Sequence, residues 1–137
     1  MHIPNLRSPY DKTGGIVYFA RMLSKIRIHA EGKLPAEYIE NLGEGFDGRC
    51  LNFLHVKYAD LVPVVLAGGS DESVLEWCFK HGRKPSEEEI EIWNDFMRKR
   101  GWNDGASDRL AFRIAEAGFE SRNLQTMFDY IVADEEA

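Results

Sequence analysis

The chain has 137 residues, with 17 Lys+Arg against 23 Asp+Glu and a formal charge of −6. That length suits a single domain spanning 1–137, large enough to fold without disulfides or a metal. A hydrophobic share of 44% describes a globular chain. The acidic balance speaks against nucleic acid as a partner, and no apolar run reaches the roughly 18 residues of a membrane span.

Two cysteines, Cys50 and Cys78, stand far apart, and the first residues lack the basic-then-apolar layout of a secretory signal. Both features point to a reducing, cytoplasmic setting.

Glycine and proline divide the chain into segments of helical periodicity. The first helix is expected to start just after Gly14-Gly15 and to end at Gly32, with Ile16, Phe19, Ala20, Leu23, Ile26 and Ala30 on its core face. A short helix follows near Pro35 to Leu42, with Pro35 in its first turn. After the glycine-rich passage Gly43–Gly48 comes an apolar segment from Arg49 to about Val56. Tyr58–Ala67 reads as a helix with Pro63 near its first turn, since Pro63 does not suit a central strand.

Ser70 or Asp71 caps the next helix, which Gly82 stops. Ser86 and Glu89 form a capping box for a helix ending at Gly101, with acids at its start and bases at its end. Ser107 is expected to cap a helix running to Gly118, and a last helix covers Thr126 to Ala133. The acidic residues 134–136 read as a frayed tail. The class is all-α, a compact single-domain bundle of about six to eight short helices.

The quoted runs Gly14-Gly15 with Arg21-Met22-Leu23, Asn41 to Cys50, Glu76-Trp77-Cys78, Trp93 to Trp102 and Phe128-Asp129-Tyr130-Ile131 resemble the bacterial domain of unknown function numbered 5069. The resemblance covers nearly the whole chain. It implies a small stand-alone bacterial protein and assigns no activity, cofactor or catalytic residue.

Gly43, Gly45 and Gly48 match G-x-G-x-x-G, but a dinucleotide fingerprint needs a preceding strand, and residues 36–42 read as helix. The loop can instead offer backbone donors, from Gly45 and Gly48 among others, to an anion. Cys50 is the candidate nucleophile: a place in the first turn of the next helix beside Arg49 would favour its thiolate, and Asp47 could cap that helix. The alternative is a buried structural thiol.

On the first helix, Tyr18, Arg21, Met22, Lys25 and His29 lie opposite the apolar stripe. They form either an ordinary solvated face or a site for a small anion or an acidic protein partner, with Arg49 adjoining. The four histidines have no metal-ligating spacing, and neither metal nor cofactor is implied. Residues 1–33 hold six Lys+Arg and two Asp+Glu, net +4, while residues 34–137 hold eleven and twenty-one, net −10. The basic third therefore either meets a ligand or docks on the acidic remainder of its own chain. The leading expectation is a non-catalytic binding module, with a thiol-dependent enzyme using Cys50 as the alternative; nothing fixes the oligomeric state.

Overall fold

A computed structural model describes residues 1–137. Eight α-helices make up most of the chain, as the periodicity requires, together with one small two-stranded sheet that the sequence reading did not foresee. That sheet replaces the expected first turn of helix. Strand β1 (Lys12–Thr13) pairs antiparallel with β2 (Ile16–Val17), Thr13 opposite Ile16. Gly14 and Gly15 both have positive φ, 56° and 79°, the backbone of a two-residue hairpin turn. Two adjacent glycines followed by two β-branched residues thus make a hairpin rather than a helix start.

Helix α1 (Phe19–Ala30) begins at a Tyr18 held in the left-handed region at φ 76°. Every residue from Phe19 to Ile26 is buried, so α1 runs through the middle of the fold. The expected stripe holds for Phe19, Ala20, Leu23 and Ile26, whereas Ala30 is exposed and Ile16 belongs to β2. The opposite side is also covered: Tyr18, Arg21, Met22 and Lys25 are buried, and only His29 meets solvent. The solvated face expected from its charges is therefore absent, because carboxylates elsewhere in the chain neutralise them.

Helix α2 (Ala36–Ile39) is a single turn with Pro35 at its N-cap, one place earlier than expected. Helix α3 (Phe46–Leu54) starts inside the glycine passage, with Gly45 as N-cap at φ 55°. Helix α4 (Tyr58–Leu66) is the expected helix, but Pro63 sits in its second turn rather than its first.

The later helices follow their signals closely. Ser70 caps α5 (Asp71–His81) by accepting from the Ser73 amide. Both halves of the Ser86/Glu89 capping box form at the start of α6 (Glu87–Lys99). At α7 (Ser107–Ala117) the N-cap is Ala106; the Ser107 hydroxyl instead donates to Gly101 O and accepts from the Asp104 amide, bracing the turn between the helices. Thr126 caps α8 (Met127–Glu136) by accepting from Asp129 N. The acidic residues expected to fray extend α8 to Glu136.

One cluster of 18 buried residues forms the main core, drawing on β2, α1, α3, α4, α5, α6 and α8. Helix α6 also completes the hairpin. Asn94 accepts from Val17 N at 3.0 Å and donates to Gly15 O at 2.8 Å, and the Trp93 indole donates to Val17 O. These bonds satisfy the backbone groups that a two-stranded ribbon leaves open. No helix is long and apolar enough to cross a membrane.

Candidate functional site

Arg21, Lys25 and Arg27 of α1 each turn toward a carboxylate of the same chain. Asp47, in the first turn of α3, is fully buried. Its Oδ1 lies 2.7 Å from Lys25 Nζ and accepts a 2.7 Å bond from the Tyr18 hydroxyl, while Oδ2 accepts from the Gly43 amide. Lys25 Nζ donates as well to the Tyr18 oxygen. Asp47 thus braces the glycine turn and α1 rather than capping α3. Burial lowers the Lys25 pKa against the opposing pull of Asp47, and burial together with the Asp47 charge drives the Tyr18 phenol far above its ordinary value.

One turn earlier on α1, the Arg21 guanidinium makes a two-pronged pair with Glu135 of α8, both N–O distances 2.7 Å. Tyr38 of the α2 turn donates to the same carboxylate at 2.9 Å, and Arg21 Nη1 is further fixed by Arg7 O. Burial opposes the charge on Arg21, but the bonds to Glu135 keep its pKa above the ordinary value. Arg27 pairs with Asp71 at 2.6 Å. Of the two outcomes open for the basic N-terminal third, the structure realises docking on the chain's own acids at Arg21, Lys25 and Arg27.

Above this buried layer opens a pocket of about 790 Å³. Tyr18, Arg21 and Lys25 of α1 line it together with Tyr38, Gly45 and Phe46. Arg49 of α3, Arg100 at the end of α6, and Arg109 and Arg113 of α7 add four guanidiniums. Arg109 and Arg113 are four residues apart and so share a helix face. Phe96 lies between two of the others, its ring centroid 5.1 Å from Arg49 and 5.7 Å from Arg100, a cation–π arrangement that sets where both stand. Arg100 also reaches Asp104 at 3.4 Å and Arg113 reaches Glu116 at 3.7 Å, whereas Arg49 and Arg109 have no carboxylate partner. The pocket carries carboxylates too: Glu37, Glu40 and Glu44 around α2, and Asp134 and Glu135 of α8.

The sequence-predicted residues separate accordingly. Arg21, Lys25, Gly45 and Arg49 meet at this one pocket; His29 is exposed outside it. Gly48 is half-buried, and a Cβ there would stand 3.3 Å from Gly43 O, so it serves the close packing of the turn. Cys50 falls in the second turn of α3, not the first, and has no exposed surface. Burial and the neighbouring Asp47 charge push its thiol well above the usual range, the reverse of the activation expected from its position in the chain. Cys78, also buried, is pushed up to about 12 by burial.

Sequence reasoning missed Tyr38, Arg100, Arg109, Arg113 and Glu135. Two signals pointed at them. Arg109 and Arg113 stand at helical spacing, and the acids at 134–136 occupy the end of a helix where its dipole disfavours negative charge.

The sequence profile described as a domain of unknown function (DUF5069) matches residues 3–137. The chain belongs to that family. Comparison with curated proteins finds no match.

Proposed function

We propose that this protein is a non-catalytic binding module that takes a small molecule with an acidic group into the pocket between α1, α3, α7 and α8. The observation that carries this reading is the pair of guanidiniums without a carboxylate partner, Arg49 (which rests on the Phe96 ring) and Arg109, lining the same pocket as Arg100 and Arg113. Guanidinium forks suit carboxylate and phosphate oxygens. The carboxylates from α2 and α8 would repel an extended polyanion, so the ligand is small and its charge local rather than that of a nucleic acid.

The free basic surface on the first helix shrinks in this reading to a paired floor beneath the arginines. The alternative of a thiol enzyme loses its support, because Cys50 is closed to solvent and its thiolate disfavoured. Two free, buried cysteines fit a reducing cytoplasmic setting.

The test is a calorimetric titration with acetate, succinate and inorganic phosphate at two salt concentrations, on the native protein and on the R49E and R109E variants. Binding by the native protein that weakens with salt and is lost on either charge reversal supports the reading. Failure of all three probes to bind, or binding indifferent to both reversals, overturns it.

A further inference from the structure

Arg21 is a fork already filled. Its two terminal nitrogens hold the two oxygens of Glu135, with the Tyr38 hydroxyl on one of them, which is the recognition geometry for a planar carboxylate. Arg21, Tyr38 and Glu135 all line the pocket, so this carboxylate belongs to the floor of the cavity rather than to an isolated ion pair. We infer that Arg21 and Tyr38 form a carboxylate-binding subsite and that Glu135 is its exchangeable occupant, giving way to the acid group of the ligand.

Three observations support exchange. Glu135 sits in the last turn of α8 between Asp134 and Glu136, three carboxylates at the end of the helix where the dipole opposes them. Helix α6 obeys the opposite rule, with acids first and bases last. The helix dipole therefore favours release of that turn, and the bonds of Glu135 to Arg21 and Tyr38, together with that of Met1 N to Asp134 O, restrain it. Second, the side chains of the subsite stand on α1 and α2, outside the element that carries Glu135. Arg21 is 5% exposed, and its anchor to Arg7 O comes from outside α8. Third, Arg21 has donor capacity to spare, because its Nε is buried without an acceptor. Lys25, one turn further on, makes two hydrogen bonds with a nitrogen that carries three protons.

Charge accounting explains why the turn stays closed until a ligand arrives. Opening it alone would strand a buried guanidinium, whereas swapping one carboxylate for another leaves the pairing intact. A neutral ligand cannot make that swap.

This inference rests on the pocket reading above, and the experiment separates the two. Acetate, its neutral isostere acetamide, and inorganic phosphate are titrated by calorimetry into native protein, into Glu135→Gln and into Glu135→Gln/Arg21→Lys, with the Arg21 side-chain N–H signal followed by NMR in the two proteins that retain it. The expected result is an acetate affinity raised on the order of tenfold in Glu135→Gln, with acetamide unchanged, phosphate gaining less than acetate, and the gain abolished by adding Arg21→Lys. Glu135→Ala provides the same comparison should Glu135→Gln fold poorly. In the native protein, saturating succinate should speed amide exchange at residues 133–136. Equal acetate affinity in native and variant protein, an equal gain for acetamide or phosphate, or unchanged amide exchange overturns the inference. An absent gain alongside binding lost in R49E would leave the pocket reading standing; a gain alongside binding indifferent to R49E and R109E would leave only the subsite.

Discussion

Replacing Asp47 by Asn tests the buried floor directly. Asp47 is fully buried and Lys25 only 7% exposed, so solvent screens their 2.7 Å contact poorly. Removing one partner of such a pair leaves an uncompensated buried charge, a loss of about 3–5 kcal/mol. The Tyr18 hydroxyl and the Gly43 amide would then compete for the one remaining acceptor oxygen, so the upper half of that range applies.

Deprotonation of Lys25 limits the damage, and this gives the prediction a pH signature. Burial already lowers the Lys25 pKa, and losing Asp47 lowers it further. Between that folded value and about 10.5, the unfolded chain binds more protons than the folded one, so the variant gains stability as pH rises through the window. Urea unfolding at pH 7 and pH 9 measures both effects. The double variant Lys25→Met/Asp47→Asn should lose clearly less than the sum of the two single changes, with a coupling of about 2 kcal/mol or more. A loss in Asp47→Asn below about 1 kcal/mol at pH 7, or strict additivity in the double variant, would refute the reasoning.

Three further outcomes are expected. Gly82→Ala should destabilise by about 2–3 kcal/mol in urea melts, because its Cβ would stand 2.0 Å from the backbone oxygen of Leu54; an unchanged midpoint would contradict that packing. Hydrogen bonds from Ser86 and Arg83 hold the Glu89 carboxyl down at about 2, so the capping box contributes stability present above the usual carboxylate range and lost as pH falls from about 4.5 toward 2. Glu89→Gln should remove that part of the acid sensitivity of the thermal midpoint. Native Cys50 should react with iodoacetamide far more slowly than free cysteine at neutral pH and at a rate that rises with urea; fast labelling in buffer would show an open thiol.

The second half of the fold was the more legible because its helices carry their own stop and start signals. Ser86 with Glu89, the acid-to-base gradient along α6, and Ser70 before α5 each act within a few residues, so local sequence suffices. The hairpin at Gly14-Gly15 was missed because β2 has only two residues, and its other backbone partners come from Asn94 and Trp93. Arg21 and Lys25 read as solvent-facing because charge is a marker of exposure unless a partner is buried with it. Those partners, Glu135 and Asp47, stand 114 and 22 positions away along the chain. The pocket was half visible for the same reason: the residues from α1 and the glycine loop fall in one stretch, and the arginines of α6 and α7 reach them only through tertiary packing.

The dependence of β2 on Asn94 also has a consequence for how the chain is made. The groups that close the edge of the hairpin lie 77 and 79 positions downstream, and the carboxylate that neutralises Arg21 lies further still. During synthesis the first helix therefore emerges with Arg21 unpaired, and that charge waits for α8, whereas Asp47 for Lys25 and the apolar residues of α4 follow much sooner. Contacts that distant delay productive folding, since a long loop must close before they contribute. The central helix thus depends on residues far along the chain, and the appearance of α8, rather than of α1, sets when Arg21 can be neutralised.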